Sequence, residues 1–411
     1  MKVGSIVTVL DIGSTKVCCC IANCLDDKRF EIVGVGYCAC NGVKSGIIVD
    51  MRAVERSISK AVEHAEKMVN FRVKSVYVSI SGKNVESKIV KMSINIGGRI
   101  ITNDDLLNLL DNSNQEDDER AVIHSIPILY EVDSLCGIRN PLGMVGDTLN
   151  VSVNLVTAPK AQLNNLLMCL MRCHLDAIGI VSSIYASGLC VIDEDDASSN
   201  KIVIDFGGGT TSIGFFYHGI FSGMQVIPAG SKNITDDVAY GLNISPANAE
   251  RLKTLHGAAF VSIRDESDTI FVPVIEDDDV INLQRIPKSS LNQIIQPRVE
   301  EILLMIKEKI VRSNFTDSFS RNVVITGGGS LLTGMRDFSG GILNKKIKIK
   351  KMGNFIDVQD IEISNNFSVA VGMIKFAQIS EDYLMRNKKL SKKNKKDGLI
   401  KKTLAWIENN L

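Results

Sequence analysis

The chain has 411 residues, enough for two or more domains that each bury a sizeable core. Its 47 basic and 47 acidic residues balance, so no global field favours nucleic acid as a partner. No run of about 18 apolar residues and no cleavable signal pattern is present, so we expect neither a membrane-spanning helix nor secretion. Ten cysteines occur without a Cys-x-x-Cys pair, so we do not expect a zinc site, and a reducing cytoplasm is the compartment that fits best.

The first predicted element is a hairpin between Ile6 and Val17, in which an apolar strand ends in Asp11. Turn amides and hydroxyls can close on a phosphate as a concave nest. A carboxylate at the end of a buried strand is costly, and a magnesium ion held through water would compensate for Asp11. The phosphate-binding residues predicted here are Gly13, Ser14, Thr15 and Lys16.

Between this hairpin and residue 200, the pattern predicts strands and helices without a further phosphate loop. A strand is expected from Phe30 to Tyr37 and a helix from Asp50 to Met68, because apolar residues recur at spacings of three and four. Alternation from Val73 to Pro159 predicts a compact, strand-rich insertion. Helices are then expected over 161–175 and 181–192.

A second hairpin, from Lys201 to Phe216, repeats the design of the first. Taken alone it is equally typical of an ordinary glycine-rich turn. Two copies favour two related α/β halves that face one nucleotide. Asp205 is the second residue predicted to bind magnesium, again through water. The predicted phosphate contacts are Gly207, Gly208, Gly209, Thr210 and Thr211.

Three helices or helix-like segments are expected after this hairpin. Gly230 precedes a helix for which Thr235 is the predicted N-cap. The next helix, Pro246–Leu255, carries Glu250 and Lys253 one turn apart, and spacing alone favours a surface ion pair. A long helix is predicted from Pro297 to Val311. Arg298 and Glu301 would lie on its outer face.

A third glycine sequence, Gly327, Gly328 and Gly329 before Ser330, follows an apolar strand and precedes a helix-like segment. These glycines would let a flat base approach the backbone. Two Asp–Gly hairpins followed by Gly-Gly-Gly are the signature of the actin, Hsp70 and sugar-kinase superfamily. The Gly-Lys-Ser/Thr ending of a Walker loop does not occur in these motifs.

The C-terminal stretch combines a predicted flexible basic linker, 386–397, with an amphipathic segment, 398–411. The segment is too short to span a bilayer but can lie in the interface of an anionic membrane. Its predicted membrane-facing residues are Leu399, Ile400, Leu404, Trp406, Ile407 and Leu411.

Nearly the whole chain resembles the FtsA family of actin-like bacterial cell-division proteins. The resemblance includes both hairpins, the third glycine sequence, the basic linker with its terminal helix, and the stretches Lys44–Asp50, Val78–Gly82, Gly137–Met144, Asn233–Ala239 and Gln296–Ile302. It implies an α/β, actin-like fold with two ribonuclease-H-like domains around a nucleotide cleft, an inserted strand-rich subdomain and a C-terminal amphipathic helix.

The resemblance also implies domain boundaries. They are 1–82 with 161–200 and 341–385 for the first core domain, 83–160 for the inserted subdomain, 201–235 with 306–340 for the second core domain, 236–305 for a peptide-binding subdomain, 386–397 for the linker and 398–411 for the membrane helix.

The implied ligands are ATP and Mg²⁺. The implied partners are the C-terminal peptide of FtsZ, contacted by Arg298 and Glu301, further copies of the chain in a filament, later division proteins and an anionic membrane. The implied location is the cytoplasmic face of the cell membrane at the division site. The implied adenosine contacts are Gly230, Asn233, Glu250, Lys253, Gly327, Gly328, Gly329 and Ser330.

Hydrolytic relatives place a Gln or Glu beside the attacking water, but the corresponding stretch Gly179–Gly188 offers only serines. We therefore expect a switch driven by ATP binding, and at most a slow ATPase. A sugar- or acetate-type kinase is the alternative, but it has little use for a basic tail. An Hsp70-like chaperone would need a substrate domain after Phe376, where few residues remain.

Overall fold

A computed structural model of the chain describes residues 4–25, 29–111, 119–192, 199–275, 281–313, 315, 322–350 and 364–390. The predicted membrane segment 398–411 and residues 391–397 of the predicted linker lie outside these ranges.

The first half begins with a three-stranded meander followed by a helix. Its elements are β1 (Ile6–Ile12), β2 (Lys16–Cys24), β3 (Phe30–Ala39), β4 (Val43–Lys44), β5 (Ile47–Ile48), α1 (Met51–Val69) and β6 (Ser75–Ile80). The Asp50 carboxylate caps α1 by accepting a hydrogen bond from the Ala53 amide at 3.0 Å. The helix expected from Asp50 to Met68 is confirmed to within one residue at each end.

The inserted subdomain forms its own sheet and core. Its elements are β7 (Glu86–Asn95), α2 (Asn103–Asp111), β8 (Arg120–Val132), β9 (Leu135–Ile138) and β10 (Thr148–Pro159). The strand order is β7-β10-β8-β9, and the side chains of Leu149, Val151 and Val153 are buried. Glu86 at the start of β7 pairs with Thr157 near the end of β10, so the subdomain's entry and exit lie side by side.

The chain then returns to the first half through α3 (Lys160–Arg172), β11 (Asp176–Ser182) and α4 (Ser183–Val191). The predicted helix at 181–192 begins two residues late, because Val181 and Ser182 extend β11 beside β6. The completed first sheet has the order β11-β6-β1-β2-β3. Its β1-β2-β3 part is antiparallel, and β6 and β11 add in parallel.

The second half repeats this topology. Its elements are β12 (Lys201–Phe206), β13 (Thr211–Tyr217), β14 (Ile220–Ile227), α5 (Ser231–Gly241), α6 (Pro246–His256), β15 (Thr269–Ile275), β16 (Ile281–Pro287), α7 (Lys288–Val311), β17 (Asn322–Thr326), α8 (Met335–Leu343) and β18 (Lys346–Ile349). The last helix, α9 (Ser368–Leu390), returns to the first half, where Val369, Val371 and Ile374 join the core of the first sheet. The sheet order β14-β13-β12-β17-β18 matches the first sheet strand for strand, including the parallel pairs. The α/β class and the two related halves are therefore confirmed.

Three sequence expectations about helix ends are wrong. Thr235 lies inside α5, whose N-cap is Gly230. Helix α7 begins at Lys288 rather than Pro297, because Leu291 and Ile295 continue its buried stripe upstream of the proline. Helix α9 continues to Leu390, so residues 386–390 of the predicted linker are helical; Lys, Arg and Leu favour a helix.

The predicted domain boundaries do not all coincide with element ends. Strand β18 pairs with β17, so it belongs to the second sheet, and the predicted return to the first domain at 341 comes too early. Helices α5 and α7 each run across a predicted boundary, at 235 and at 305.

Helices α4 and α9 pack against each other with almost no space between their backbones. A Cβ built on Gly372 of α9 would lie 1.8 Å from the carbonyl oxygen of Ala186 in α4. A Cβ on Gly188 of α4 would lie 1.9 Å from the Phe216 ring of the second sheet. Gly372 therefore lets α4 and α9 pack closely within the first half, and Gly188 lets α4 pack closely on the second sheet.

We predict that Gly372→Ala lowers the melting temperature, because the added methyl group forces α4 and α9 apart at a cost of about 1–3 kcal/mol. Gly341→Ala is the matched control, since Gly341 is also helical and a Cβ there meets nothing within 4 Å. The control should stabilise by up to about 1 kcal/mol. Equal melting temperatures of the two variants would contradict the close crossing.

Candidate functional site

A cavity of about 360 Å³ lies where the two Asp–Gly hairpins face each other. It collects residues from both halves of the chain. The sequence-predicted residues that line it are Asp11, Gly13, Ser14, Thr15, Lys16, Asp205, Gly207, Gly208, Gly209, Thr210, Glu250, Lys253, Gly327, Gly328 and Gly329. Thr211, Gly230, Asn233 and Ser330 do not line the wall.

The two hairpin turns have the same closing hydrogen bond. The Gly13 amide donates to the Lys16 carbonyl at 2.9 Å, and the Gly207 amide donates to the Thr210 carbonyl at 3.1 Å. The turns also approach each other closely. A Cβ on Gly208 would lie 2.5 Å from Thr15 Cγ2, so a side chain at this position has no room.

Helix α5 orients the second hairpin. The Ser231 amide donates to the Gly207 carbonyl at 2.9 Å, and the Lys232 amide donates to the Gly208 carbonyl at 2.8 Å. In a trans peptide, the N–H points opposite to the carbonyl of the same peptide unit. The Gly208 and Gly209 amides therefore point away from α5, on residues that line the cavity, where they can receive an anion.

Gly230 and Asn233 support this contact instead of lining the cavity. A Cβ on Gly230 would lie 2.5 Å from both the Gly207 and the Gly208 carbonyl oxygens, so only glycine lets α5 dock here. The Asn233 side chain accepts a hydrogen bond from the Gly230 amide at 2.9 Å and caps the helix. Thr211 turns its hydroxyl to the Ala229 carbonyl, at 2.8 Å.

Two buried carboxylates lie at the floor of the cavity. Burial, with a smaller contribution from the Asp11 charge, raises the pKa of Asp205 to about 6, against the lowering effects of a hydrogen bond from the Ser187 hydroxyl at 2.7 Å and of the Lys16 charge. Burial also raises the pKa of Asp11, against a hydrogen bond from Ser79 at 2.7 Å. Two neighbouring carboxylates whose pKa values burial raises fit a divalent cation, which would favour their ionised forms.

Lys16 contributes a buried cation to the same space. Within the described part of the chain, its Nζ atom is shielded from solvent and has no hydrogen-bond partner. It lies 4.0 Å from the centre of the Phe367 ring. A buried ammonium without an acceptor is costly, and this lysine lines the cavity, so an anionic ligand would complete its hydrogen bonding.

Glu250 and Lys253 form a polar cluster with α5 at another part of the wall. Lys253 Nζ donates to Glu250 at 2.7 Å, to the Thr235 hydroxyl at 2.8 Å and to the Ser231 carbonyl at 3.1 Å. The Thr235 hydroxyl also donates to the Glu250 carboxylate. Lys253 is buried, so the expectation of a plain surface pair, drawn from spacing alone, is wrong for this residue.

The third glycine sequence forms a tight turn under the cavity. Gly327 has a φ of +84°, and a Cβ there would lie 2.4 Å from Asp205 Oδ1. A Cβ on Gly328 would meet only Asn366, at 3.8 Å, so this residue leaves open space. Ser330 donates its hydroxyl to the Gly327 carbonyl at 2.7 Å, which fixes the turn from outside the cavity.

Several lining residues were missed by sequence reasoning. They are Ser81, Ser183, Ser212, Ser231, Ile234, Thr254, Gly257, Leu331, Leu332, Thr333, Asn366, Ser368 and Val369. Most carry no motif of their own and reach the cavity through tertiary packing. Gln162, also missed, ties two loops of the first half by donating to the Gly46 and Ser81 carbonyls at 3.1 and 2.9 Å.

Arg298 and Glu301 are separate from the cavity. Arg298 lies in the interior of α7, because the helix begins upstream at Lys288. Its guanidinium binds both oxygens of Asp237 in α5 and also contacts Glu301. Arg298 therefore already has acidic partners within the chain.

Comparison with known proteins identifies the relatives of this architecture. The family model described as "Cell division protein FtsA" matches residues 202–372, and the model described as "SHS2 domain inserted in FTSA" matches residues 82–157. The "Cell division protein FtsA" of Agrobacterium fabrum is 36% identical over 392 residues, covering 92% of this chain and 88% of that protein.

Solved structures show the same fold at low sequence identity. The "PilM-PilN type IV pilus biogenesis complex" matches with a TM-score of 0.64 at 14% identity, over 91% of this chain and 98% of that one. The structure of "MreB 5 of Spiroplasma citri bound to AMPPNP" matches with a TM-score of 0.56 at 12% identity, over 93% and 98%. The actin-like fold expected from the sequence is confirmed, and the kinase alternative is not favoured.

We predict that Asp205→Asn stabilises the nucleotide-free protein at pH 7. The folded-state pKa of about 6 exceeds the ordinary value of 3.8, so the folded protein binds more protons than the unfolded chain between these values. Stability is therefore lost as pH rises through this window, by an amount on the order of 3 kcal/mol.

Thermal unfolding at pH 7 and at about pH 4 checks this prediction. The variant should melt higher than the parent at pH 7, and the gain should shrink at the lower pH, which lies well below the folded-state pKa of about 6 and close to the ordinary value of 3.8. A variant that melts lower at both values would contradict a costly buried charge.

Proposed function

Because this chain belongs to the FtsA family of cell division proteins, we propose that it is an ATP-binding, actin-like adaptor. In this proposal it binds the C-terminal peptide of FtsZ, polymerises, and tethers the FtsZ ring to the cytoplasmic face of the membrane at the division site. It then recruits later division proteins.

The observation that carries nucleotide binding is the Lys16 ammonium between two facing glycine hairpins, which is shielded from solvent and has no hydrogen-bond acceptor among the described residues. The aligned Gly208 and Gly209 amides supply further donors. Donors without acceptors, gathered from both halves of the molecule, favour a ligand with several phosphate oxygens. Gly13, Ser14, Thr15 and Thr210 would complete the phosphate site.

Asp11 and Asp205 would hold Mg²⁺ through water, and the ion would neutralise phosphate charge. Its charge would also remove the cost of ionising both carboxylates, whose pKa values burial raises. Glu250, Lys253 and the turn at Gly327–Gly329 would receive the adenosine, since these residues line the part of the cavity built by α6 and the third glycine sequence.

The residues around the phosphate site support binding more than turnover. Ser187 donates to Asp205, and Ser183 donates to the Ile80 carbonyl at 2.9 Å. Serine is a poor base at neutral pH. We therefore propose a switch that responds to ATP binding, with hydrolysis slow at most.

The proposed peptide contact is Arg298 with Glu301 on α7. Arg298 is about one-third exposed, with a side-chain relative accessibility of 31%, and a guanidinium recognises carboxylates through paired hydrogen bonds. An acidic peptide would meet it where Asp237 now binds.

The proposed membrane contact rests on the sequence of 398–411. Its apolar residues share one helical face, and the lysines before it would favour an anionic leaflet. Among the described residues, no helix is both long and apolar enough to cross a membrane.

We predict that Gly208→Asp abolishes binding of magnesium ATP, because the new side chain meets Thr15 and adds negative charge beside the phosphates. Asp205→Ala should also abolish binding of magnesium ATP, because it removes one of the two carboxylates that would hold the ion. Isothermal titration calorimetry measures both. Gly341→Ala is the control, with the affinity of the parent. If both cavity variants bound ATP like the parent, the proposed nucleotide site would be wrong.

We predict that Trp406→Glu, or deletion of 398–411, releases the protein from anionic liposomes in a pelleting assay while ATP binding survives. Burying each large apolar side chain contributes about 1.5–3 kcal/mol before ordering costs. Higher salt should weaken binding of the parent without abolishing it. Pelleting of the truncated monomer at the level of the parent would place the anchor elsewhere.

A further inference from the structure

The Arg298–Asp237 ion pair joins two helices that serve different sites. Arg298 lies on α7, in the proposed peptide contact, and Asp237 lies on α5. The guanidinium spans both carboxylate oxygens, with Nη2 3.1 Å from Oδ1 and Nε bonded to Oδ2. Both side chains are 31% exposed, so an external carboxylate can reach the pair.

Helix α5 contacts the cavity at two points. Its first two amides hold the Gly207 and Gly208 carbonyls, which directs the hairpin amides to the phosphate site. One turn later, Thr235 binds both Glu250 and Lys253. The helix has 11 residues and packs between α6 and α7, so these contacts and Asp237 belong to one short, stiff element.

We propose that Asp237 is a positioning residue for the nucleotide cavity, and that an acidic peptide bound by Arg298 weakens nucleotide binding by separating Arg298 from Asp237. This inference depends on the proposed nucleotide and peptide sites. It adds a coupling between them that runs through α5.

The physical basis is competition for one guanidinium. The edge formed by Nε and Nη2 pairs with one carboxylate at a time, while Nη1 contacts Glu301. A peptide carboxylate that takes the Nε and Nη2 edge therefore leaves Asp237 without this partner. Helix α5 then loses a tie to α7, and the hairpin amides and Lys253 are less well organised before the nucleotide arrives. Lost preorganisation appears as lost affinity. Linkage requires the nucleotide to weaken the peptide by the same factor.

A merely structural ion pair predicts a different result. Partly exposed ion pairs contribute little to stability, so a structural role would leave the ATP affinity of a folded variant unchanged. A positioning role changes ATP affinity while the melting temperature of the nucleotide-free protein stays near that of the parent.

The first experiment measures magnesium ATP affinity by calorimetry in Asp237→Asn, Asp237→Glu and a matched control. Asp237→Asn should bind ATP about 5-fold more weakly, at the lower end of typical coupling factors. Asp237→Glu keeps the carboxylate and should recover most of the affinity. Glu308→Gln is the control. Glu308 also lies on α7, and its ion pair, at 2.9 Å, is with Arg312 at the C-cap of that helix rather than with α5. Glu308→Gln should bind ATP like the parent.

The second experiment titrates the full-length parent with the FtsZ C-terminal peptide. Saturating peptide should weaken ATP binding about 5-fold, and saturating ATP should weaken the peptide by the same factor. In Asp237→Asn the peptide should bind more tightly, since its competitor is gone, and it should no longer change ATP affinity.

Circular dichroism and melting temperature establish that each variant is folded. The proposal is overturned if folded Asp237→Asn binds ATP like Glu308→Gln, or if bound peptide leaves ATP affinity unchanged in the parent. A parent that fails to bind ATP would instead remove the proposed nucleotide site. If the peptide fails to bind, the comparison of Asp237→Asn with its control still decides the positioning role.

Discussion

The candidate site depends on how closely the two hairpin turns approach each other. Side chains of the first turn occupy the space that glycines of the second leave open, with Thr15 against Gly208 and Ser14 against Gly209. The same approach brings Asp11, Lys16 and Asp205 into one buried space. Such a space is unfavourable without a ligand, because burial raises the pKa of both carboxylates in spite of the Lys16 charge, and the ammonium has no hydrogen-bond acceptor among the described residues. Packing between the two turns therefore fixes the geometry of the cavity, and the charges that line it determine which ligand it can bind.

The two halves have the same sheet order but support their hairpins differently. In the first half, a loop supports the turn: the Gly46 amide donates to the Ser14 hydroxyl at 3.2 Å, and the Cys40 amide donates to the Thr15 carbonyl at 2.9 Å. In the second half, a helix N-terminus does so. The second hairpin is thus joined through helix α5 to the surface that carries Arg298. The repeated fold makes the two hairpins of the site similar. Their different supports mean that the second hairpin is connected to the surface of α7 through α5.

Sequence reasoning located the hairpins and the third glycine turn because each is encoded within a few consecutive residues. It predicted that both Thr210 and Thr211 bind phosphate, but neighbouring residues in a strand point to opposite faces. In the structure the Thr211 hydroxyl donates to the Ala229 carbonyl. Sequence reasoning began α7 at Pro297, but the helix begins at Lys288 with Pro287 at the N-cap, and Pro297 lies inside it. Asn366 and Thr254 come to the wall only through packing between distant elements, which no local pattern encodes.

The adjacent ends of the inserted subdomain have a consequence for folding order. The subdomain separates β6 from α3 and β11 in sequence, yet Glu86 and Thr157 pair where it enters and leaves. Because its core is its own, it can form before the first sheet does. Once formed, it replaces a long connection by a short one and lowers the entropy cost of closing the chain between β6 and β11. The parallel pairing of these strands, otherwise a slow long-range step, then becomes almost local.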